Sequence, residues 1–110
     1  FGGFITGCES NLAPVLSAVQ EAGRVGDVKI VAIDITPVSL EYIQDGSVAA
    51  VVTQNPFNMG YTGTMTAYKA ALGEEVPEFI DSGSAIVDKE TMESDETTRA
   101  ILKELQLLDA

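Results

Sequence analysis

The chain has 110 residues, 45% of them hydrophobic, with 17 acidic against 6 basic side chains, no histidine and one cysteine. That suffices for one domain with a real core and not for two. The formal net charge of −11 and the scattering of the few basic residues exclude nucleic-acid partners, which need clustered Lys and Arg on phosphates.

No apolar run approaches the roughly 20 residues needed to cross a bilayer, and a lone Cys8 excludes an internal disulfide. The opening Phe1-Gly-Gly-Phe-Ile-Thr has neither the basic flank nor the cleavage pattern of a secretory signal. Residues 2–6 already read as a strand, so the chain is expected to be a fragment or a processed form.

After the loop Gly7-Cys8-Glu9-Ser10, either Ser10 or Asn11 can cap a helix. On that helix Leu12, Val15, Leu16, Val19 and Ala22 recur at three- and four-residue steps, and Gly23 ends it. Val28 to Ile35 is a near-continuous apolar strand, the pattern expected where helices cover both faces of a parallel strand. Thr36 is the expected cap of a second helix with Pro37 at its first position, where a missing N–H costs nothing. That helix turns Leu40 and Ile43 inward and stops near Asp45-Gly46.

Val48 to Thr53 is the third strand, and Asn55-Pro56 repeats the cap-plus-proline start. The helix that follows runs to about Leu72, and its Gly60, Gly63, Ala67, Ala70 and Ala71 predict close packing against a neighbour. Met59 and Met65 read as gap-filling core residues, and Tyr61 and Tyr68 as packing residues. Phe79 to Val87 reads as extended. Ser94 is the expected cap of a last helix with an apolar stripe of Ile101, Leu102, Leu105 and Leu108.

The order β-α-β-α-β-α-β-α predicts an α/β fold with a doubly wound parallel sheet. In such sheets ligands bind in the crevice beyond the carboxyl ends of the strands. Asp34, in Asp27-Val-Lys-Ile-Val-Ala-Ile-Asp34-Ile-Thr-Pro37, and Gln54, in Ala49-Ala-Val-Val-Thr-Gln54-Asn-Pro56, both stand there. A carboxylate and an amide suit a ligand rich in hydroxyl groups. No metal-ligand cluster, Gly-x-Gly-x-x-Gly or P-loop accompanies them, so no metal, cofactor or catalytic residue is expected.

Taken with Ile43-Gln-Asp-Gly46, Met59-Gly60 and Gly73-Glu-Glu-Val-Pro77, these stretches resemble the C-terminal part of the periplasmic sugar-binding proteins of ABC importers. The branch is type I, of the ribose, galactose and autoinducer-2 kind. The resemblance covers residues 1–92, of which about 56–73 would belong with the other lobe; residues 93–110 form a C-terminal helix outside the pattern. It implies a flavodoxin-like lobe of a two-lobed receptor that clamps its solute between lobes. Asp34 would bind ligand hydroxyls, and Gln54 would touch ligand at a crossing between lobes. A further ligand position, usually Asn or Asp, falls here on Cys8 or Glu9.

The resemblance further implies a sugar or polyol ligand, a membrane permease as partner, and a periplasmic or lipid-anchored extracellular setting. A piece of this kind would expose apolar surface and could pair with a second copy. The plainer alternatives are Asp34 as a carboxylate near a helix N-terminus, Gln54 as a hinge hydrogen bond, and Cys8 as a loop or packing residue. At the level of function, the alternative is the effector domain of a LacI-type sugar-responsive transcription regulator, which shares the fold. An enzyme is the third reading, disfavoured by the missing motifs and the missing histidine.

Overall fold

Burial alternates along each strand, and this sorts the sheet of the computed structural model into two unlike faces. The structure describes residues 2–108; the outermost positions of the 1–92 and 93–110 segments lie outside them. Strands β1 (Gly3–Thr6), β2 (Lys29–Ile33), β3 (Ala50–Gln54) and β4 (Ser84–Val87) lie side by side in chain order. The first three are parallel. They are joined through α1 (Leu12–Glu21) and α2 (Pro37–Asp45). Right-handed crossovers that step in one direction across a sheet put their helices on one face.

That face is the core. Ile30, Ala32, Val51 and Val87 pack there with Leu12, Leu16 and Val19 of α1 and Leu40 and Ile43 of α2. Leu102 joins them from α5 (Glu96–Glu104). Thr6 shares the covered side, and among the described residues its buried hydroxyl has no hydrogen-bond partner. The other face is a different surface. Register aligns Ile5 with Val31, Val31 with Ala50, Ile33 with Val52, and Val52 with Ile86, which makes one apolar row. Ile5 is 79% and Ile86 58% exposed. The apolar run of β2 therefore predicts two-sided cover, but the described residues cover one side.

Local chemistry sets the boundaries. Thr36 and Ser39 form a reciprocal capping box at the start of α2, with Pro37 in its first turn and Gly46 (φ 87°) as a left-handed C-cap. The cap of α1 differs from expectation. The chain enters that helix through a 3-10 turn, Glu9–Asn11, and Asn11 makes no side-chain cap bond. At the far end, α4 (Lys89–Ser94) is capped by Asp88 and α5 by Asp95. Ser94 is thus the last residue of α4 and not a cap, because the shorter reach of Asp95 to the Thr98 N–H, at 2.7 Å, claims that position.

The fourth strand is antiparallel to β3, so the sheet is mixed at one edge. The reason is the path of α3 (Pro56–Ala71). The chain leaves the carboxyl end of β3 along this helix and returns beside it, where Asn58 Nδ2 donates to the Ser82 carbonyl at 2.9 Å. It then re-enters the sheet from the same end. No residue of α3 is buried, and the molecule is elongated, 58 × 29 × 18 Å. The expected packing along its small residues is not met among the described residues: a Cβ at Gly60 or Gly63 would touch nothing within 4 Å. Met59, Met65, Tyr61 and Tyr68 are exposed on the same helix rather than in the core.

Candidate functional site

Asp34 follows β2 and is held by the ladder, its N–H donating to the Val52 carbonyl at 2.9 Å. Its φ of 72° lies in the left-handed region that few residues other than glycine adopt. The turn aims the chain from β2 into the Thr36 cap and leaves the carboxylate at the strand ends. Such strained positions cluster at functional sites. Gln54 ends β3 on the neighbouring parallel strand, and its Nε2 donates to Asp34 Oδ1 at 2.8 Å. The two residues named from the sequence therefore meet. Asp34 keeps a second oxygen, and Gln54 keeps its carbonyl and a second N–H, for other partners.

They line a cleft of about 300 Å³ together with Glu9, Ile35, Thr53, Pro56, Met59 and Leu105. Of Cys8 and Glu9, Glu9 borders the cleft, whereas Cys8 is half-buried with its Sγ 3.2 Å from Ser10 Oγ. Of the residues that the sequence did not single out, Thr53 and Pro56 flank Gln54, and Ile35 follows Asp34. Met59 stands one turn into α3, and exposure by itself separates it from a core methionine. Leu105 reads in the sequence only as part of the apolar stripe of the last helix, and nothing local marks it as a cleft residue.

The cleft is rich in acceptors, with the carboxylates of Glu9 and Asp34 and the amide of Gln54, and among the described residues no Lys or Arg lines it. Hydroxyl donors suit such a surface, and anions do not. Among the described residues no group of three or more His, Cys, Asp or Glu could hold a metal ion. A larger groove, about 530 Å³, runs between α3 and residues 77–82. Its two threonine hydroxyls are engaged internally: Thr62 Oγ1 donates to Asn58 Oδ1, and Thr66 Oγ1 to the Thr62 carbonyl. The smaller cleft has the convergent polar groups that fix a small ligand's orientation.

The sequence profile of the periplasmic binding protein domain matches residues 2–75. The ribose import binding protein RbsB of Escherichia coli is 41% identical over 61 residues, 56% of this chain and 20% of that protein. An ABC transporter solute-binding protein of Agrobacterium radiobacter, solved with D-arabinose, superposes with a TM-score of 0.80 at 30% identity. The match covers 91% of this chain and 34% of that one. An Agrobacterium vitis solute-binding protein with bound D-fucose gives 0.79 at 28% identity, covering 89% and 34%. The chain thus spans about a third of the length of these solved relatives. They are binding proteins of transport systems, not enzymes. With that profile matched over most of its length and the same fold in sugar-bound relatives, this chain belongs to the periplasmic binding protein domain family.

Proposed function

We propose that this chain forms part of the solute-binding component of an ABC importer and binds a neutral monosaccharide or polyol at the Asp34–Gln54 cleft. The observation that carries the reading is that pair itself. A carboxylate and an amide stand on adjacent parallel strands, bonded to each other at 2.8 Å, with acceptor capacity to spare. The relatives support the ligand class: solute-binding proteins of this fold have been solved with D-arabinose and D-fucose, and one relative at 41% identity is a ribose import protein.

Asp34 would accept hydrogen bonds from ligand hydroxyls, with Glu9 as a second acceptor from the α1 side and Cys8 shaping the loop beneath it. Gln54 would join the ligand to the β3–α3 junction, at which the chain leaves the sheet layer. A ligand that bridges this surface and a facing lobe would favour the closed arrangement by its differential affinity for it. The expected partner is a membrane permease, and the expected setting is periplasmic or extracellular. Carboxylates without a neighbouring cation would turn away phosphorylated sugars and sugar acids.

The test is titration calorimetry on the full-length protein with D-ribose, D-arabinose, D-fucose and D-galactose, and with D-ribose 5-phosphate as the anionic control. Asp34→Gly removes the carboxylate while suiting the left-handed backbone. Loss of two charge-assisted hydrogen bonds, about 1.5–3 kcal/mol each, should weaken binding at least about 100-fold with thermal stability unchanged or raised. A variant that binds sugar like the wild type would leave Asp34 with a backbone role only.

A further inference from the structure

One apolar residue of the cleft comes from a part of the chain far from Asp34 in sequence. Leu105 lines the cleft together with the apolar Ile35 and Met59 and the polar trio Glu9, Asp34 and Gln54. Leu105 is the C-cap of α5, and its position is set three times over. Ile101 and Leu102, the turn before it, are buried. Gln106 takes φ 58° and passes the chain to Leu107, whose N–H returns to the Leu102 carbonyl at 2.8 Å. This is the closure of a Schellman-type helix end, made here without glycine. Finally, Glu104 Oε2 accepts from Asn55 Nδ2 at 3.0 Å, while Asn55 Oδ1 accepts from the Asn58 N–H and caps α3.

Asn55 thus uses both ends of its amide. One end starts α3, and the other holds the last turn of α5 against the junction that carries Gln54. We propose that this turn is a selectivity wall of the sugar site: Leu105 packs on the apolar C–H face of the ligand, and the Glu104–Asn55 bond keeps the wall in register with Gln54. A monosaccharide offers hydroxyls along its edges and C–H groups on its faces. A cleft lined by both carboxylates and aliphatic side chains can sort ligands by both. This rests on the receptor reading above and adds a residue from the last helix to it.

The experiment is calorimetry over a range of temperatures on the full-length protein, with whichever of D-ribose, D-arabinose, D-fucose and D-galactose the wild type binds tightest. Leu105→Ser should weaken binding about tenfold and make the heat-capacity change of binding less negative, because less apolar surface is buried. Leu105→Met should restore affinity to within about threefold. Glu104→Leu should weaken binding less, about threefold, and Glu104→Gln, which keeps an acceptor, should match the wild type. Asp34→Gly run alongside separates the two ideas. If it loses binding while Leu105→Ser stays within twofold with an unchanged heat capacity, the wall is refuted and the receptor reading stands. If both variants bind like the wild type, or the wild type binds none of the four sugars, both are refuted.

Discussion

The two faces of the sheet are built from the same kinds of residue and meet opposite fates. On one, Ile30, Ala32, Val51 and Val87 are sealed under α1, α2 and α5. On the other, Ile5, Val31, Ile33, Ala50, Val52 and Ile86 form an equally apolar row with its ends open. A strand's hydrophobicity records that something is meant to cover it. Which segment does so, and from which side, depends on the handedness of the connections. The proposed site lies on neither face: the Asp34–Gln54 cleft opens at the carboxyl ends of β2 and β3.

Substitutions should separate the faces clearly. Leu102→Ala removes a side chain with no exposed surface from the covered face and should cost about 2–5 kcal/mol of unfolding free energy in urea titrations. A cost under about 1 kcal/mol would mean that α5 is not seated on the sheet in solution. Acid should loosen the same face. The Thr91 N–H bonded to Asp88, and the Thr98 N–H bonded to Asp95, hold both carboxyls below their ordinary value of 3.8. Lowered values mean that the folded state binds fewer protons, so this stabilisation is complete above about pH 3.8 and is lost as pH falls through the lowered values. Asp95→Asn should flatten the decline in melting temperature between about pH 5 and about pH 3, the span of ordinary carboxylate titration.

The open face should respond least. Ile86→Thr keeps the β-branched shape at a 58% exposed position and should change stability by about 0.5 kcal/mol or less. A loss that approaches that of Leu102→Ala would show that the open row is covered in solution. If that loss also grew with protein concentration, a second copy would be the cover.

Much of this molecule is written locally. Thr36-Pro37 and Asn55-Pro56 announce helix starts, because a capping oxygen and a proline each act within one turn, and both hold in the structure. Asp34 and Gln54 were legible as a pair for a similar reason: the ends of neighbouring parallel strands share one rim. The misread residues are those whose surroundings are non-local. Met59 and Met65 have core chemistry, but they sit on a helix that leaves the sheet layer. Ser94 and Asp95 are both good caps, and the geometry of one turn decided between them.

By itself, the sequence determined the order of strands and helices as far as β4, the caps of α2 and α3, and the placing of an acid and an amide at strand ends. Periodicity and short-range hydrogen bonds suffice for these. The break of the last segment into α4 and α5 was not legible. Tertiary structure decided the reversal of β4, the open face of the sheet, and the arrival of Glu9 and Leu105 at the cleft. The bond between Asn55 and Glu104 joins positions 49 residues apart. No local pattern encodes such a meeting, since it exists only once the chain has closed on itself.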